Sequence, residues 1–292
     1  ASEDEVLRMW QGRGYYSRAR NLHAAARQIA ALGHFPDTYE AIRGLKGVGD
    51  YTAAAIASFA FGLPYAAVDG NAYRVMSRYF GVATPIYDAK GKRTFAELAQ
   101  SLLPKGRAAD FNQAMRDFGA TQCVPQSPCC EVCPMAETCE AVRTGRVGEL
   151  PVKRKTMSVK ERKLIYLYLR CDGRTAIHQR GAGDIWQGLW EPVLLDASQV
   201  RPVYELRAQR VKHVLTHRVL YAALYFYYPA VPPALPEGYR WVDEADLDQY
   251  AMPRLVEKLI AMLRPAWLSV IIMIGSFLKW CPSVAFPLLQ AL

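Results

Sequence analysis

Residues 45–71 read LKGVGDYTAAAIASFAFGLPYAAVDGN, and the fold of the first half follows from them. The alanine-rich run 51–61 predicts a helix that stops at Gly62, and a second helix is predicted over 71–80, opening after Asp69-Gly70. Before the first helix, glycines 44, 47 and 49 punctuate a turn. Gly47, Val48 and Gly49 let the backbone bend tightly and bring its N–H groups to a helix N-terminus, where the dipole favours an anion such as a phosphate. The simpler reading is an ordinary helix–helix turn. Asp69 also has two readings: an N-cap, or a carboxylate fixed near a reaction centre where it stabilises a cationic sugar.

Working outward, the first half stays helical. Val6, Met9 and Trp10 share one predicted face, and Leu22, Ala26, Ile29 and Leu32 repeat the spacing before Gly33. Further helices are expected over 37–42, 93–103 and 109–119. Between the first two helical segments, Gly12-Arg13-Gly14-Tyr15-Tyr16 flanks aromatics with glycine and arginine. That suits base stacking or wedging beside phosphate contacts, or else a packed aromatic turn.

Cys123, Cys130, Cys133 and Cys139 lie within 17 residues, separated by six, two and five, with Cys129 as an extra thiol. Four thiolates so close can converge on one metal centre. Spacing alone does not separate zinc from an iron–sulfur cubane.

The second half changes character. β-Formers over 164–170, a turn at Asp172-Gly173 and a return over 175–179 predict a hairpin; further strands are expected over 221–228 and 239–242. Helical spacing returns at Leu255, Leu259 and Leu263, giving a mixed α+β domain. A basic linker over 149–163 joins the halves, with Lys153, Arg154, Lys155, Lys160, Arg162 and Lys163 against Glu161. The tail 265–292 is apolar and of unknown role. A helix of 13 residues reaches about 20 Å, short of the roughly 30 Å of a bilayer core, so no membrane partner is expected.

The 292 residues are enough for two domains, with 51% hydrophobic and 22% charged residues. Lys plus Arg number 36 against 27 Asp plus Glu, a net charge of +9 that favours a polyanion. The cysteines are clustered rather than spread as in a secreted disulfide scaffold, and no signal peptide opens the chain. A reducing, bacterial cytoplasm at the nucleoid is the expected setting. The absence of an initiator Met suggests a missing front end.

Taken in order, GRGYYSRARNL (12–22), the GVG turn, VDGN (68–71) and the 6-2-5 cysteine loop resemble the helix-hairpin-helix DNA glycosylases of the endonuclease III type. The resemblance covers about residues 1–148. It implies a multidomain protein: an all-α helix-hairpin-helix glycosylase domain with an iron–sulfur cluster loop, then an α+β Nudix-like domain over 164–264. The cofactor implied is a 4Fe–4S cluster held by Cys123, Cys130, Cys133 and Cys139. Tyr51 stands where bifunctional members carry a Lys, so the Schiff-base route is closed and a monofunctional enzyme is implied. With the second domain, this resembles the adenine glycosylases of the MutY family.

By that resemblance Asp69 and Asn71 are catalytic, Tyr51 lies near the flipped adenosine, and Tyr15 is the aromatic inserted beside the lesion, with Arg13 next to it. GDIWQGLWE (183–191) resembles the family's Nudix-like element. His213-Val214-Leu215-Thr216-His217 resembles the loop that inspects 8-oxoguanine through Leu215, Thr216 and His217. The R-E-U-x-E-E helix of Nudix hydrolases is missing from 164–263. Lys46 replaces the usual hairpin Pro. The family's general-acid Glu lies upstream of the segment matching Glu5, so a nearly inactive chain is expected; general-acid help is worth about 10²–10⁴ in rate.

The expected function is excision of adenine opposite 8-oxoguanine or guanine in double-stranded DNA, by a monomer. A non-catalytic binder of mismatched or damaged DNA is the alternative. A bifunctional lyase is weaker, since it needs an amine where Tyr51 stands.

Overall fold

The computed structural model describes residues 1–153 and 159–263. Part of the predicted basic linker (154–158) and the apolar tail therefore lie outside the described residues. Among the described residues no helix is long and apolar enough to cross a membrane. The described residues form two compact units: residues 1–20 with 159–263, and residues 21–153.

Helix α1, Glu3–Met9, is started by a capping box in which the Ser2 hydroxyl accepts from the Glu5 N–H and the Glu5 carboxylate accepts from the Ser2 N–H. Helix α2 spans Tyr16–Leu32. On α1 the predicted Val6 and Trp10 pack against a buried cluster but Met9 does not, and the predicted face of α2 needs correcting. Met9 is 81% exposed, while Leu7 is fully buried with Tyr16, Ala19, Leu189 and Ala251. That cluster packs residues 1–20, which in sequence precede the helical half, against segments of the second half. On α2, Leu22, Ala26 and Leu32 are exposed and Ala19 and Ala25 are buried: a 3.6-residue period names a stripe, but neighbouring stripes of small residues compete for the same core.

In the helical unit, α3 (Tyr39–Arg43) is capped by Thr38, α4 (Asp50–Phe61) ends on left-handed Gly62, and α5 (Gly70–Tyr79) is capped by Asp69. Helices α6 (Ala89–Ser101), α7 (Ala108–Thr121) and α8 (Glu140–Arg143) follow. One core joins Ala72, Met76, Ile86, Phe95 and Ala99; another joins Ile42, Ala53 and Ala57. Each large side chain buried here, Ile42, Met76, Ile86 and Phe95, contributes roughly 1.5–3 kcal/mol.

The other unit carries a six-stranded sheet. Strands β1 (Lys160–Cys171), β2 (Arg174–Gln179), β3 (Trp190–Leu195), β4 (Glu205–Leu215), β5 (Arg218–Tyr227) and β6 (Tyr239–Asp243) lie in the order β4-β5-β1-β3-β2-β6. β1 and β5 are parallel; the other neighbours are antiparallel. Strand alternation sends Leu164, Tyr166 and Tyr168 to a face covered by α9 (Arg254–Ala261) through Leu255, Val256 and Leu259. Leu167 and Leu169 go to the opposite face.

Three expectations change here. β1 starts at Lys160, inside the stretch read as linker, because Lys160–Lys163 pair with β5 along its parallel edge. Strands β3 and β4 are additional to the predicted set. And His213–Leu215 are the end of β4 rather than loop; only Thr216-His217 form the turn into β5, with Leu215 paired to Arg218.

Candidate active site and DNA interface

In the helical unit the hairpin supplies free backbone donors. Gly47 has φ +78, and a Cβ there would stand 2.4 Å from that of Asn21, so only glycine fits. Lys46 N–H donates to Gln28 Oε1 at 2.7 Å and Val48 N–H to Leu45 O at 3.1 Å, which fixes the turn. Gly49 is the N-cap of α4 and offers no side-chain cap, leaving the helix's first N–H groups for an outside acceptor.

Asp69 is both a cap and a candidate for chemistry. Its Oδ1 accepts from the N–H groups of Asn71 (2.9 Å) and Ala72 (2.8 Å), and its Oδ2 accepts from Asn71 Nδ2 at 3.2 Å. All three hydrogen-bond donors are neutral, and the Arg74 guanidinium acts on the carboxylate only through the field. Tyr51 is 38% exposed and lines a cavity of about 790 Å³ together with Val68, the residue before Asp69; Asp69 itself is outside that lining.

Sequence reading missed Arg74. Buried at 8% exposure, it donates through Nη2 to Asn71 Oδ1 (2.7 Å) and Gly119 O, and through Nε to Cys123 O (2.7 Å). α7 comes close enough for this because Gly119 has no side chain: a Cβ there would lie 2.6 Å from Asn71 Cβ. A chain of hydrogen bonds therefore joins Asp69 to the cysteine loop. The signal available in sequence was an arginine three residues after Asn71 on a helix.

Cys123, Cys130, Cys133 and Cys139 are free thiols lining one cavity with Val75, Val142 and Arg78. Arg78 is nearly fully buried and donates to Cys123 Sγ at 3.4 Å and Val124 O at 2.8 Å. Burial, then the other three thiols, pushes the Cys130 thiol up. Among the described residues no group of three or more His, Cys, Asp or Glu is arranged to hold a metal ion. The donor set is thus four sulfurs around an apolar space with a guanidinium beside them. Cys129 is exposed and not part of that lining.

In the sheet unit, Tyr15 is the unusual residue. It is 65% exposed, with φ +47 in the left-handed region, where a non-glycine residue is strained. Gly12 and Gly14 flank it at positive φ; Trp10 Nε1 donates to Gly14 O at 3.0 Å, and the Arg13 guanidinium lies over the Trp10 ring. The Tyr15 hydroxyl meets Thr216 Oγ1 at 3.0 Å. Arg13, Tyr15, Leu215, Thr216 and His217 all line one cavity of about 760 Å³, so the structure brings these five predicted residues together. Burial and then Lys258 hold the His213 imidazole, which also lines it, below its ordinary pKa.

These features define a class: a helix-hairpin-helix base-excision module followed by a Nudix-like domain. Residues 1–104 match the HhH-GPD superfamily of base excision DNA repair proteins, and residues 165–262 match the NUDIX domain family. The chain is 28% identical to the adenine DNA glycosylase of Schizosaccharomyces pombe, over 86% of this chain and 69% of that protein. It is 44% identical to the adenine DNA glycosylase of Homo sapiens, over 48% of this chain and 26% of that protein. A solved thermostable thymine-DNA glycosylase is 36% identical over 49% of this chain and 67% of its own, with a TM-score of 0.44. Both family matches, in this order along one chain, and these relatives make the chain similar to adenine DNA glycosylases that carry a Nudix-like C-terminal domain. It spans less than a third of the length of its mammalian relatives.

Proposed function

We propose that this protein recognises adenine opposite 8-oxoguanine or guanine in double-stranded DNA and supplies Asp69 to hydrolysis of that adenine's N-glycosidic bond. Excision by these residues alone is slow, because none of them is assigned to protonate the departing adenine. The observation that carries the reading is the 3.0 Å approach of Tyr15 to Thr216. It joins the strained aromatic turn and the β4–β5 turn in one arginine-bearing cavity, where an intercalated ring and a base-reading hydroxyl would act together. Tyr15 enters the stack; Thr216 and His217 offer hydrogen bonds to the base opposite adenine, with Leu215 beside them. Arg13 contacts phosphate, as do the N–H groups of Gly47 and Gly49; Val48, whose N–H is bound to Leu45 O, holds the turn between them.

Asp69 stabilises the positive charge that develops on the sugar as the bond to adenine breaks, and Asn71 orients it. Tyr51 faces the extruded nucleoside. Because Tyr51 is not an amine, the sugar is released to water rather than captured as a Schiff base. Cys123, Cys130, Cys133 and Cys139 would hold a 4Fe–4S cluster: four reduced thiols and an apolar surround fit it. Such a cluster supplies a rigid structural node here.

The test uses the chain in excess over duplexes carrying A·8-oxoguanine, A·G or A·T. Binding is read from a native gel shift and excision from alkali cleavage at the adenine. The A·8-oxoguanine duplex should be retained about tenfold or more over A·T, the scale of one altered base pair. Equal retention of all three overturns the reading. Selective retention without cleavage leaves recognition standing and removes catalysis.

A further inference from the structure

Asp184 belongs to the wall of the 760 Å³ cavity and gathers three guanidinium groups. Arg162 Nη1 donates to its two oxygens at 2.6 and 2.7 Å, Arg180 Nη2 to Oδ2 at 2.5 Å, and Arg218 Nη1 to Oδ1 at 3.4 Å. The Ile185 N–H adds a bond at 2.7 Å. Burial pushes the Asp184 carboxyl up, but Arg162, the Ile185 N–H and Arg180 outweigh it and hold the group below the usual carboxylate range.

The three arginines come from separate segments. Arg162 is on β1, Arg180 follows β2, and Arg218 opens β5 directly after Thr216-His217. Arg180 is anchored in the core by both oxygens of fully buried Glu191, at 2.6 Å each. On its other side Asp184 leads into Ile185, Trp186 and Gln187. Trp186 is held at φ +60, meets the His213 ring edge-on at 5.9 Å and packs against the Leu7–Tyr16 cluster. Gln187 O accepts from Arg20 Nη1, on the first turns of α2, at 2.6 Å. One carboxylate thus connects the turn carrying Thr216 with the loop that seats the segment carrying Tyr15.

We propose that Asp184 is a positioning residue for base recognition: by fixing Arg218 and the 184–187 loop together, it sets the register of Thr216 against Tyr15. The inference rests on this cavity being the site that inspects the base opposite adenine. Charge-assisted bonds to a half-buried carboxylate are strong enough to order a long arginine side chain that would otherwise sample many rotamers. Asp184 also sets the charge at the edge of the cavity. Against Arg162, Arg180 and Arg218 it and Glu191 leave one net positive charge, and its removal leaves two.

Those two effects have opposite signs, which separates positioning from simple support of the fold. In Asp184→Asn, affinity for an undamaged A·T duplex should hold or rise, with a steeper salt dependence, because a negative charge has left a DNA-facing surface. Its preference for A·8-oxoguanine over A·T should fall about tenfold, the scale of misplacing one hydrogen bond to a base. Both are read by fluorescence anisotropy on the full chain at several salt concentrations. Undiminished preference in a folded Asp184→Asn protein overturns the proposal, and so does a parallel loss of both affinities.

If Asp184→Asn does not fold, Arg218→Gln and Arg218→Lys carry the test. The glutamine variant should lose preference and the lysine variant should regain part of it; equal preference in both overturns the proposal. A wild-type chain without preference is a separate result, which removes the reading of the cavity itself.

Discussion

Around Asp69 the hydrogen bonds are short in sequence, reaching two and three residues ahead to Asn71 and Ala72. Around Tyr15 they are long, reaching across 201 residues to Thr216. The two centres also treat charge differently. The hydrogen bonds to Asp69 come from neutral donors, whereas Asp184 is held by three arginines that tie the frame together. A site that must act on charge is built from local caps. A site that must compare shapes is built from distant segments, and depends on the whole sheet for its register.

The largest expected effect tests whether the second centre depends on long-range pairing. Arg180→Met leaves Glu191 buried, with the Tyr166 hydroxyl and, at 3.6 Å, His178 as its side-chain partners among the described residues. Removing one member of a buried pair costs about 3–5 kcal/mol, so urea unfolding followed by tryptophan fluorescence should move by that much. A midpoint close to wild type would break the comparison, since the frame would then not rest on this pair.

Asp69→Asn sharpens the other side. Asparagine caps a helix as well as aspartate does, so thermal stability should stay within a few tenths of a kcal/mol. Charge is removed while geometry is kept. Preference for a duplex bearing a protonated pyrrolidine in place of the sugar, over one with neutral tetrahydrofuran, should fall by about 10²-fold or more. Preserved preference together with preserved stability would reduce Asp69 to a cap.

The smallest effect is the pH response of the sheet unit. Burial holds His178 below its ordinary pKa, Glu191 opposing; burial and Lys258 do the same to His213. The unfolded chain therefore binds protons before the folded one as pH falls through the ordinary histidine range. Stability is full above that range and declines below it. The urea midpoint should drop between pH 7.5 and 5.5, and a His178→Gln, His213→Gln double variant should show a shallower drop. An unchanged slope would show that neither imidazole is linked to the frame.

What the sequence determined by itself was local. The glycine turn at 47–49, the Asp69 cap, the close spacing of the four cysteines and the hairpin around Asp172-Gly173 all depend on residues a few positions apart, whose torsional and capping preferences act before any tertiary structure forms. The edge strand β4 escaped the sequence because its face alternation is broken by irregularities near Ala208 and by Arg210 at positive φ, and most of its residues are exposed. Only the tertiary structure decided that Tyr15 meets Thr216, that Arg74 links Asn71 to the cysteine loop, and that Asp184 binds three arginines from three segments. Long arginine and tyrosine side chains reach whatever the packed strands and helices bring within a few ångströms. Neither hydrophobic period nor motif spacing carries that information.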